Sequence, residues 1–148
     1  MKITVITVCY NSGSTIAHTL RSVREQTYGD VEHIIVDGAS QDNTLAIVAT
    51  EGAHVAKIVS GRDNGVYDAM NKGVALATGD IVAFLNADDF YKDSNVLAQV
   101  ATVMQAEQLD ALYGDVEFFR SGRQDSVVRR YNSGRFTPDR LGWGWMHC

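Results

Sequence analysis

Two adjacent carboxylates, Asp88 and Asp89, follow an apolar stretch that begins at Ile81 and reads IVAFLNADD. Two like charges about 4 Å apart repel by about 1 kcal/mol in water and more where protein displaces solvent, so an ionised pair needs a stabilising partner. Carboxylates suit a divalent ion that keeps several waters and takes further ligands from a phosphate group. A helix N-terminus is the alternative partner, but Asp93 and Ser94 fit that capping role better. We therefore predict that Asp88 and Asp89 bind Mg²⁺ or Mn²⁺.

Further polar residues follow three other apolar runs. They are Thr7, Tyr10 and Asn11 in ITVCYN, Asp37 in IIVDG, and Asp63 in GRDNG. If these runs are parallel strands, their carboxyl ends meet at one edge of a sheet, where ligands of open α/β folds bind. Four Asp at that edge, offset only by Arg62, predict a cation there.

The segment DNGVYDAMNKG is predicted to open a helix with two different faces. A step of 100° per residue puts Val66, Met70, Val74 and Ala77 on one face and Asp68, Asn71 and Lys72 on the other. The polar face is either a solvent face with an Asp68–Lys72 ion pair or a face of the site.

These residues require a particular order of elements. Apolar, β-branched runs alternate with helical patterns: strands in KITVITVCY, VEHIIVD, HVAKIVS and DIVAFLN, and helices in NSGSTIAHTLRSVREQ, QDNTLAIVATEG, NGVYDAMNKGVALATG, closed by Gly79, and SNVLAQVATVMQAEQ. The stretches DALYGDVEFF and SVVRRY predict later strands. This order predicts an α/β fold, a mostly parallel sheet with helices on both faces.

Composition limits the class of protein. With 148 residues, 45% hydrophobic and 21% charged, the chain suits one globular domain over residues 1–148. No apolar run reaches the length of about 18 residues that a membrane span needs. The N-terminus indicates a strand and not a signal peptide, which predicts a cytoplasmic protein. Cys9 and Cys148 match no metal or disulfide pattern and predict reduced thiols.

Charge is unevenly distributed along the chain. Of the 18 acidic and 13 basic residues, positions 120–148 hold two acidic residues and six basic ones. The basic 120–140 segment is either a solvated surface or a peripheral contact with an anionic partner, such as a phospholipid surface at the inner face of the membrane. The acidic body of the domain argues against a nucleic-acid partner.

Other catalytic classes lack their signatures. The sequence has no GxSxG, GxxxxGK[ST] or GxGxxG pattern, so it does not indicate a serine hydrolase, a P-loop protein or a dinucleotide-binding protein. The four histidines, His18, His33, His54 and His147, are interpreted as surface or packing residues.

Taken in order, four stretches resemble the family 2 glycosyltransferases of the GT-A fold, which transfer a sugar from a nucleotide diphosphosugar. ITVCYN is similar to the family's first strand and nucleotide loop, and IIVDGASQDNT to its D-G-S-x-D-x-T stretch. DNGVYDAMNKG resembles its D-x-G-x-x-x-A-x-N-x-G helix, and FLNADD resembles its acidic metal motif. Many members have Asp where this chain has Asn86.

The resemblance implies a role for each matching residue. Thr7, Tyr10 and Asn11 would line the nucleotide, and Asp37 would bind the base. Asp63, Asp68, Asn71 and Lys72 would flank the nucleotide and phosphates, Asp88 would meet the ribose or the metal, and Asp89 would bind the metal. The donor would be a UDP-sugar, the acceptor a saccharide or lipid-linked molecule, and transfer would invert the anomeric carbon.

Family members usually continue into an acceptor-binding half that supplies a general base. Here the sequence resembles the nucleotide-sugar-binding part, and Asp115 in YGD is the candidate base within it. The alternative is a donor-binding module without transfer activity. Trp143, Trp145 and Met146 are predicted to be disordered or to pair with another copy. A receiver domain would carry its acidic pair after the first strand, where this chain has Tyr10 and Asn11.

Overall fold

A four-stranded parallel sheet forms the centre of the structure, a computed structural model that describes residues 1–120, 123–135 and 137. Its strands are β1 (Ile3–Cys9), β2 (Val31–Asp37), β3 (Val55–Ser60) and β4 (Ile81–Phe84), in the order β3-β2-β1-β4. Cys9 pairs with Asp37 and Asp37 with Ser60, so the strands end at a common edge. All seven residues of β1 are buried, as expected for an apolar strand covered on both faces.

Helices cover both faces of this sheet. Buried side chains of α1 (Ile16–Arg24), α2 (Thr44–Glu51) and α4 (Val96–Glu107) join apolar clusters on one face, and α3 (Val66–Leu76) lies on the other. The chain moves outward from β1 to β3 and then crosses back to β4 on the far side of β1. Because crossovers between parallel strands are right-handed, this reversal puts α3 on the opposite face. The predicted α/β fold is confirmed.

The packed face of α3 agrees with the prediction only in part: Met70 and Ala77 pack against the core as predicted, but Val66 and Val74 do not. Val66 and Val74 are 48% and 44% exposed, whereas Ala69 and Gly73 are buried. A Cβ atom at position 73 would lie 2.4 Å from Cγ2 of Ile6. At position 73 the helix therefore approaches β1 so closely that only a residue without a Cβ atom fits between them.

Two predicted element boundaries are wrong. The helix predicted to close at Gly79 ends at Leu76, because Ala77 already has extended backbone angles. Gly79 instead donates its N–H to Oγ1 of Thr4, 2.9 Å away. The strand predicted from Asp110 begins only at Val116, because the residues before it form no ladder.

A carboxylate on the α3 face ties the far end of the sheet together. Glu32 is buried and accepts hydrogen bonds from the hydroxyl of Thr4 at 2.7 Å and from the backbone N–H and hydroxyl of Thr78 at 2.8 and 2.9 Å. Lys2 and Lys57 lie 3.4 and 3.7 Å from Oε1. Burial alone would raise the pKa of Glu32, but these hydrogen bonds and Lys2 lower it to about 2.

The described residues fall into two compact units, the first Met1–Glu107 and the second beginning at Gln108. In the second unit, β5 (Val116–Arg120) pairs antiparallel with β6 (Arg123–Tyr131), and a 3₁₀ turn follows at Ser133–Arg135. The single domain over residues 1–148 stays a prediction. None of the helices in the described ranges is long and apolar enough to cross a membrane.

Two arginines of the basic segment have partners within the hairpin. Arg130 forms an ion pair with Glu117 at 2.6 Å, and the guanidinium of Arg129 lies 4.4 Å from the ring centre of Tyr131. Exposed pairs of this kind contribute little stability. Arg140, Trp143, Trp145, Met146, His147 and Cys148, which carry other predictions, lie outside the described residues.

Candidate functional site

Backbone N–H groups tie together the first two loops at the carboxyl edge of the sheet, where β1 to β4 end. Three consecutive N–H groups after β1 donate to side chains of the β2–α2 loop: Asn11 to Ser40 at 2.8 Å, Ser12 to Thr44 at 2.8 Å and Gly13 to Asp42 at 2.9 Å. The side chain of Asn11 returns one bond by accepting the N–H of Gln41 at 2.8 Å. Asn11 has a φ of 50°, which Asn tolerates better than most residues. The two loops therefore form one framework.

Asp37, the last residue of β2, anchors this framework from within. Its fully buried carboxylate accepts hydrogen bonds from the hydroxyl of Ser60 at 2.7 Å and from the backbone N–H of Ser40 at 3.1 Å. Burial alone would raise the pKa of Asp37, but bonds from Ser40 and Ser60 outweigh burial and lower it. The Ser40 hydroxyl also donates to Asp37, so Asn11 connects to Asp37 through Ser40. A direct contact between Asp37 and a nucleotide stays a prediction.

Tyr10 and Asp63 lie against Gly38, between the ends of β1, β2 and β3. A Cβ atom at position 38 would be 2.8 Å from Oδ2 of Asp63 and 3.5 Å from Cδ2 of Tyr10. The Tyr10 side chain is 63% exposed, and the Asp63 carboxylate accepts the N–H of Gly65 at 3.0 Å. The structure thus brings two predicted site residues against one position that has no room for a side chain.

The start of α3 is tied to the loop after β3. Asp68 accepts the N–H of Asn64 at 3.0 Å, and Lys72 lies 3.0 Å from Oδ2 of Asp68. The Lys72 ammonium also donates to the carbonyl of Arg62 at 2.9 Å. The Asp68–Lys72 ion pair is the one that the solvent-face alternative predicts. Together with the bond to Arg62, it holds Lys72 beside the loop that carries Asp63. Asn71 is exposed, and contact of these residues with phosphates stays a prediction.

Asp88 and Asp89 are exposed at the end of β4. Asp89 donates its N–H to the carbonyl of Asn86 at 3.0 Å, and the Asn86 amide lies 3.3 Å from Oδ2 of Asp89. Partial burial raises the pKa of Asp89, and repulsion from Asp88 raises it further. The next helix begins only at Val96, so neither carboxylate caps it.

Within residues 1–120, 123–135 and 137, no three His, Cys, Asp or Glu side chains come together as a metal-binding group. The predicted metal ligands Asp88 and Asp89 are thus not joined by a third such side chain there, and metal binding by this pair stays a prediction. Asp88 and Asp89 nevertheless fit a divalent ion, because they are hard oxygen donors whose mutual repulsion a cation relieves. A ligand phosphate would complete the coordination.

Thr7 does not reach the surface of the site. It is 0% exposed, and its hydroxyl lies 3.0 Å from Nε2 of His33. The other ring nitrogen of His33 is 3.1 Å from Nε2 of His54. Burial lowers the pKa of His33 to about 3, with a smaller effect from His54, so His33 is neutral at pH 7. The interpretation of His33 as a packing residue agrees with this burial.

Asp115, the candidate general base, lies in the second unit. Its carboxylate accepts the backbone N–H and the hydroxyl of Ser133 at 2.8 and 2.6 Å. This pattern fastens the end of the hairpin, and a catalytic role of Asp115 stays a prediction.

Several framework residues were absent from the sequence-based site. Ser40, Asp42, Thr44 and Thr19 bind backbone groups of the site loops through their side chains. Asp42 and Thr44 have the composition of a helix start, where short polar side chains accept or donate to nearby backbone. Their bonds to another loop carry no local sequence signal.

A comparison with protein families matches nearly the whole chain. The family described as "Glycosyl transferase family 2" matches residues 4–147. A "PGL/p-HBAD biosynthesis glycosyltransferase" of Mycobacterium bovis (strain BCG / Pasteur 1173P2) is 40% identical over 144 residues, which cover 93% of this chain and 52% of the relative. The chain thus spans about half the length of this curated relative.

Solved structures share the fold of this chain. S. aureus TarS 1-349 in complex with UDP-GlcNAc is 26% identical with a TM-score of 0.68, covering 73% of this chain and 32% of that protein. The mannosyltransferase PcManGT from Pyrobaculum calidifontis, in complex with GDP-Man and Mn²⁺, is 28% identical with a TM-score of 0.66, covering 83% and 36%.

Proposed function

The chain belongs to glycosyltransferase family 2, and from this we propose that its first unit binds the donor nucleotide diphosphosugar, a UDP-sugar, at the carboxyl edge of the sheet. The whole protein would transfer the sugar to a saccharide or lipid-linked acceptor. The observation that carries the proposal is the arrangement of Tyr10, Gly38 and Asp63 on the same edge as Asp88 and Asp89. That edge offers an exposed ring beside a carboxylate, and the acidic pair follows β4, the strand next to the one that precedes the ring.

In this proposal Tyr10 and Asp63 receive the nucleoside. The exposed ring of Tyr10 would stack on the base, an interaction that any base permits. Asp63 would accept a hydrogen bond from the base or ribose, and Gly38 keeps the space between them open. Asn11 would line the same side, since its backbone and side chain are fixed by the loop framework. Thr7, which is fully buried beside His33, would contribute packing and not a contact with the nucleotide.

Asp88 and Asp89 would hold Mg²⁺ or Mn²⁺. The bound ion would supply Lewis-acid stabilisation of the departing diphosphate. The solved relative with GDP-Man and Mn²⁺ supports a divalent metal in this fold. Lys72, held by Asp68 and the Arg62 carbonyl, would offer a positive charge towards the phosphates.

The second candidate function is donor binding without transfer by this chain. Inverting displacement needs a carboxylate that takes the proton of the acceptor hydroxyl, which typically contributes 10²–10⁴-fold. Asp115, the candidate for that task, is engaged by Ser133, and the chain spans about half of its curated relative. We propose that the base and the acceptor site correspond largely to the part of the relative that this chain does not match.

Calorimetric titration with UDP, GDP and ADP, each with and without Mn²⁺, tests the proposed donor. We expect the tightest binding for UDP with Mn²⁺ and weaker binding for UDP alone. Equal binding of all three nucleotides, or no effect of Mn²⁺, would contradict the choice of donor or the metal. A transfer assay with a UDP-sugar then separates the two functions, because only an enzyme turns over repeatedly.

A further inference from the structure

Three polar side chains, two in α1 and one just beyond its end, hold the segment that carries Asp89. The side chains of Thr19, Ser22 and Gln26 lie on one side of the chain at spacings of three and four residues. They bond backbone groups of the segment from Asp89 to Leu97: Thr19 to the Asp89 carbonyl at 2.7 Å, Ser22 to the Tyr91 N–H at 3.3 Å, and Gln26 to the Asp93 carbonyl at 2.8 Å and the Leu97 N–H at 3.0 Å. Residues 89, 91 and 93 of the segment are therefore each hydrogen-bonded to one of these three side chains.

Thr19 makes the bond nearest the acidic pair. It is 0% exposed, so its hydroxyl is shielded from water and cannot itself touch a ligand. A helical Thr often bonds its own helix three or four residues back. Thr19 instead donates to Asp89, while Ser22 supports it by donating to the Thr19 carbonyl at 2.9 Å.

Both peptide groups of Asp89 are consequently fixed. Its N–H donates to the Asn86 carbonyl at 3.0 Å, and its carbonyl accepts from Thr19. With the backbone held on both sides, the direction of the Asp89 carboxylate depends only on its own side-chain torsions. Replacing Thr19 by an apolar residue would leave the Asp89 carbonyl without this hydrogen bond and in contact with an apolar side chain.

We propose that Thr19 is a positioning residue, which sets the geometry of the Asp89 carboxylate for a divalent ion. The inference rests on the proposed function, because it assigns Thr19 a role towards the same metal. Groups that support metal ligands from behind commonly change metal affinity by 10–100-fold when they are removed.

The test is Thr19→Val, which keeps the shape of the side chain and removes the hydroxyl. Binding of Mn²⁺ in the presence of UDP is followed by electron paramagnetic resonance, and UDP binding without metal by calorimetry. We expect the Mn²⁺ affinity to fall about tenfold, UDP binding without metal to stay unchanged, and Thr19→Ser to restore the metal affinity.

Thr27→Val is the matched control, because Thr27 donates to the Ser94 carbonyl at 3.1 Å, in the same segment but away from Asp89. It should lower thermal stability without changing the Mn²⁺ affinity. Equal losses of Mn²⁺ affinity in Thr27→Val and Thr19→Val would overturn the proposal, since the effect would then be one of general stability.

A substitute variant and two further outcomes distinguish a failure of the positioning role from a failure of the proposed function. If Thr19→Val does not fold, Ser22→Ala loosens the same segment at Tyr91, and unchanged Mn²⁺ affinity in that variant would contradict the positioning role. If the unsubstituted protein binds Mn²⁺ with UDP and Thr19→Val binds it equally well, only the role of Thr19 is wrong. If the unsubstituted protein binds neither UDP nor Mn²⁺, the proposed function is wrong, and the positioning role of Thr19 is wrong with it.

Discussion

Gly38 and Asp63 approach each other so closely that a methyl group on the first would collide with the carboxylate of the second, at 2.8 Å from Oδ2. They follow neighbouring strands of the sheet, and the ring of Tyr10 lies on the same glycine. The lack of a side chain at Gly38 thus shapes the surface on which the nucleoside is proposed to lie.

Gly38→Ala should therefore weaken UDP binding. The added Cβ would push Asp63 and then Tyr10 out of position, and we expect UDP affinity to fall about tenfold, or about 1.4 kcal/mol. Gly61→Ala is the control, because no atom lies within 4 Å of a Cβ there. Calorimetric titration of both variants compares them. Unchanged affinity in Gly38→Ala would show that Asp63 and Tyr10 do not contact the nucleotide.

Ala39 carries backbone strain in the same loop. Its φ is 65°, in the left-handed region that costs a residue with a Cβ atom about 1–2 kcal/mol. Ala39→Gly should raise the free energy of unfolding by about 1 kcal/mol, after the greater freedom of glycine in the unfolded chain is offset. Urea denaturation measures it. Ala49→Gly in α2 should have the opposite sign, and a loss of stability in both variants would contradict the strain.

The parallel sheet and its helices could be predicted from the sequence, because apolar strand patterns that alternate with helical patterns along the chain are compatible with few other folds. The sequence also located Asp88 and Asp89 at a strand end. It failed where tertiary contacts decide: a helical wheel favours Val66 and Val74 as the packed residues of α3, but close contact with Ile6 selects Ala69 and Gly73.

The framework of the site was equally hidden. Thr7 looked like a site residue because it precedes the first loop, yet β1 is buried on both faces and the Thr7 hydroxyl lies against His33. Thr19 looked like an ordinary helical residue, and its partner Asp89 is 70 positions away along the chain. Contacts at such sequence distance leave no pattern in a single sequence.

Tyr91 has a buried hydroxyl for which the described residues offer no hydrogen-bond partner. An unsatisfied buried polar group costs about 1–3 kcal/mol. Tyr91→Phe should therefore raise the free energy of unfolding by about 1 kcal/mol. Tyr28→Phe is the control and should lower it, because the Tyr28 hydroxyl donates to the Met1 carbonyl. Chemical denaturation of both variants decides, and a less stable Tyr91→Phe would indicate that the hydroxyl has a partner.

Glu32 should make the free energy of unfolding depend on pH. Its pKa is about 2 in the folded protein, against an ordinary value of 4.5, so the folded state favours the ionised form. Its contribution is complete above pH 4.5 and is lost as pH falls from 4.5 towards 2. We expect the advantage in urea midpoint over Glu32→Gln to shrink between pH 6 and pH 3.5. A constant difference over that range would contradict the ionised role of Glu32.

The central claim, a metal-assisted nucleotide site at Asp88 and Asp89, is tested most directly by calorimetric titration of Asp89→Asn with UDP in the presence and absence of Mn²⁺. Asp30→Asn, which changes an exposed carboxylate just before β2 at the opposite edge of the sheet, is the charge-matched control. We predict that Asp89→Asn loses most of the Mn²⁺-dependent gain in UDP affinity, while Asp30→Asn retains it and both variants bind UDP alone like the unsubstituted protein. An undiminished gain from Mn²⁺ in Asp89→Asn would contradict the assignment of the metal to this pair.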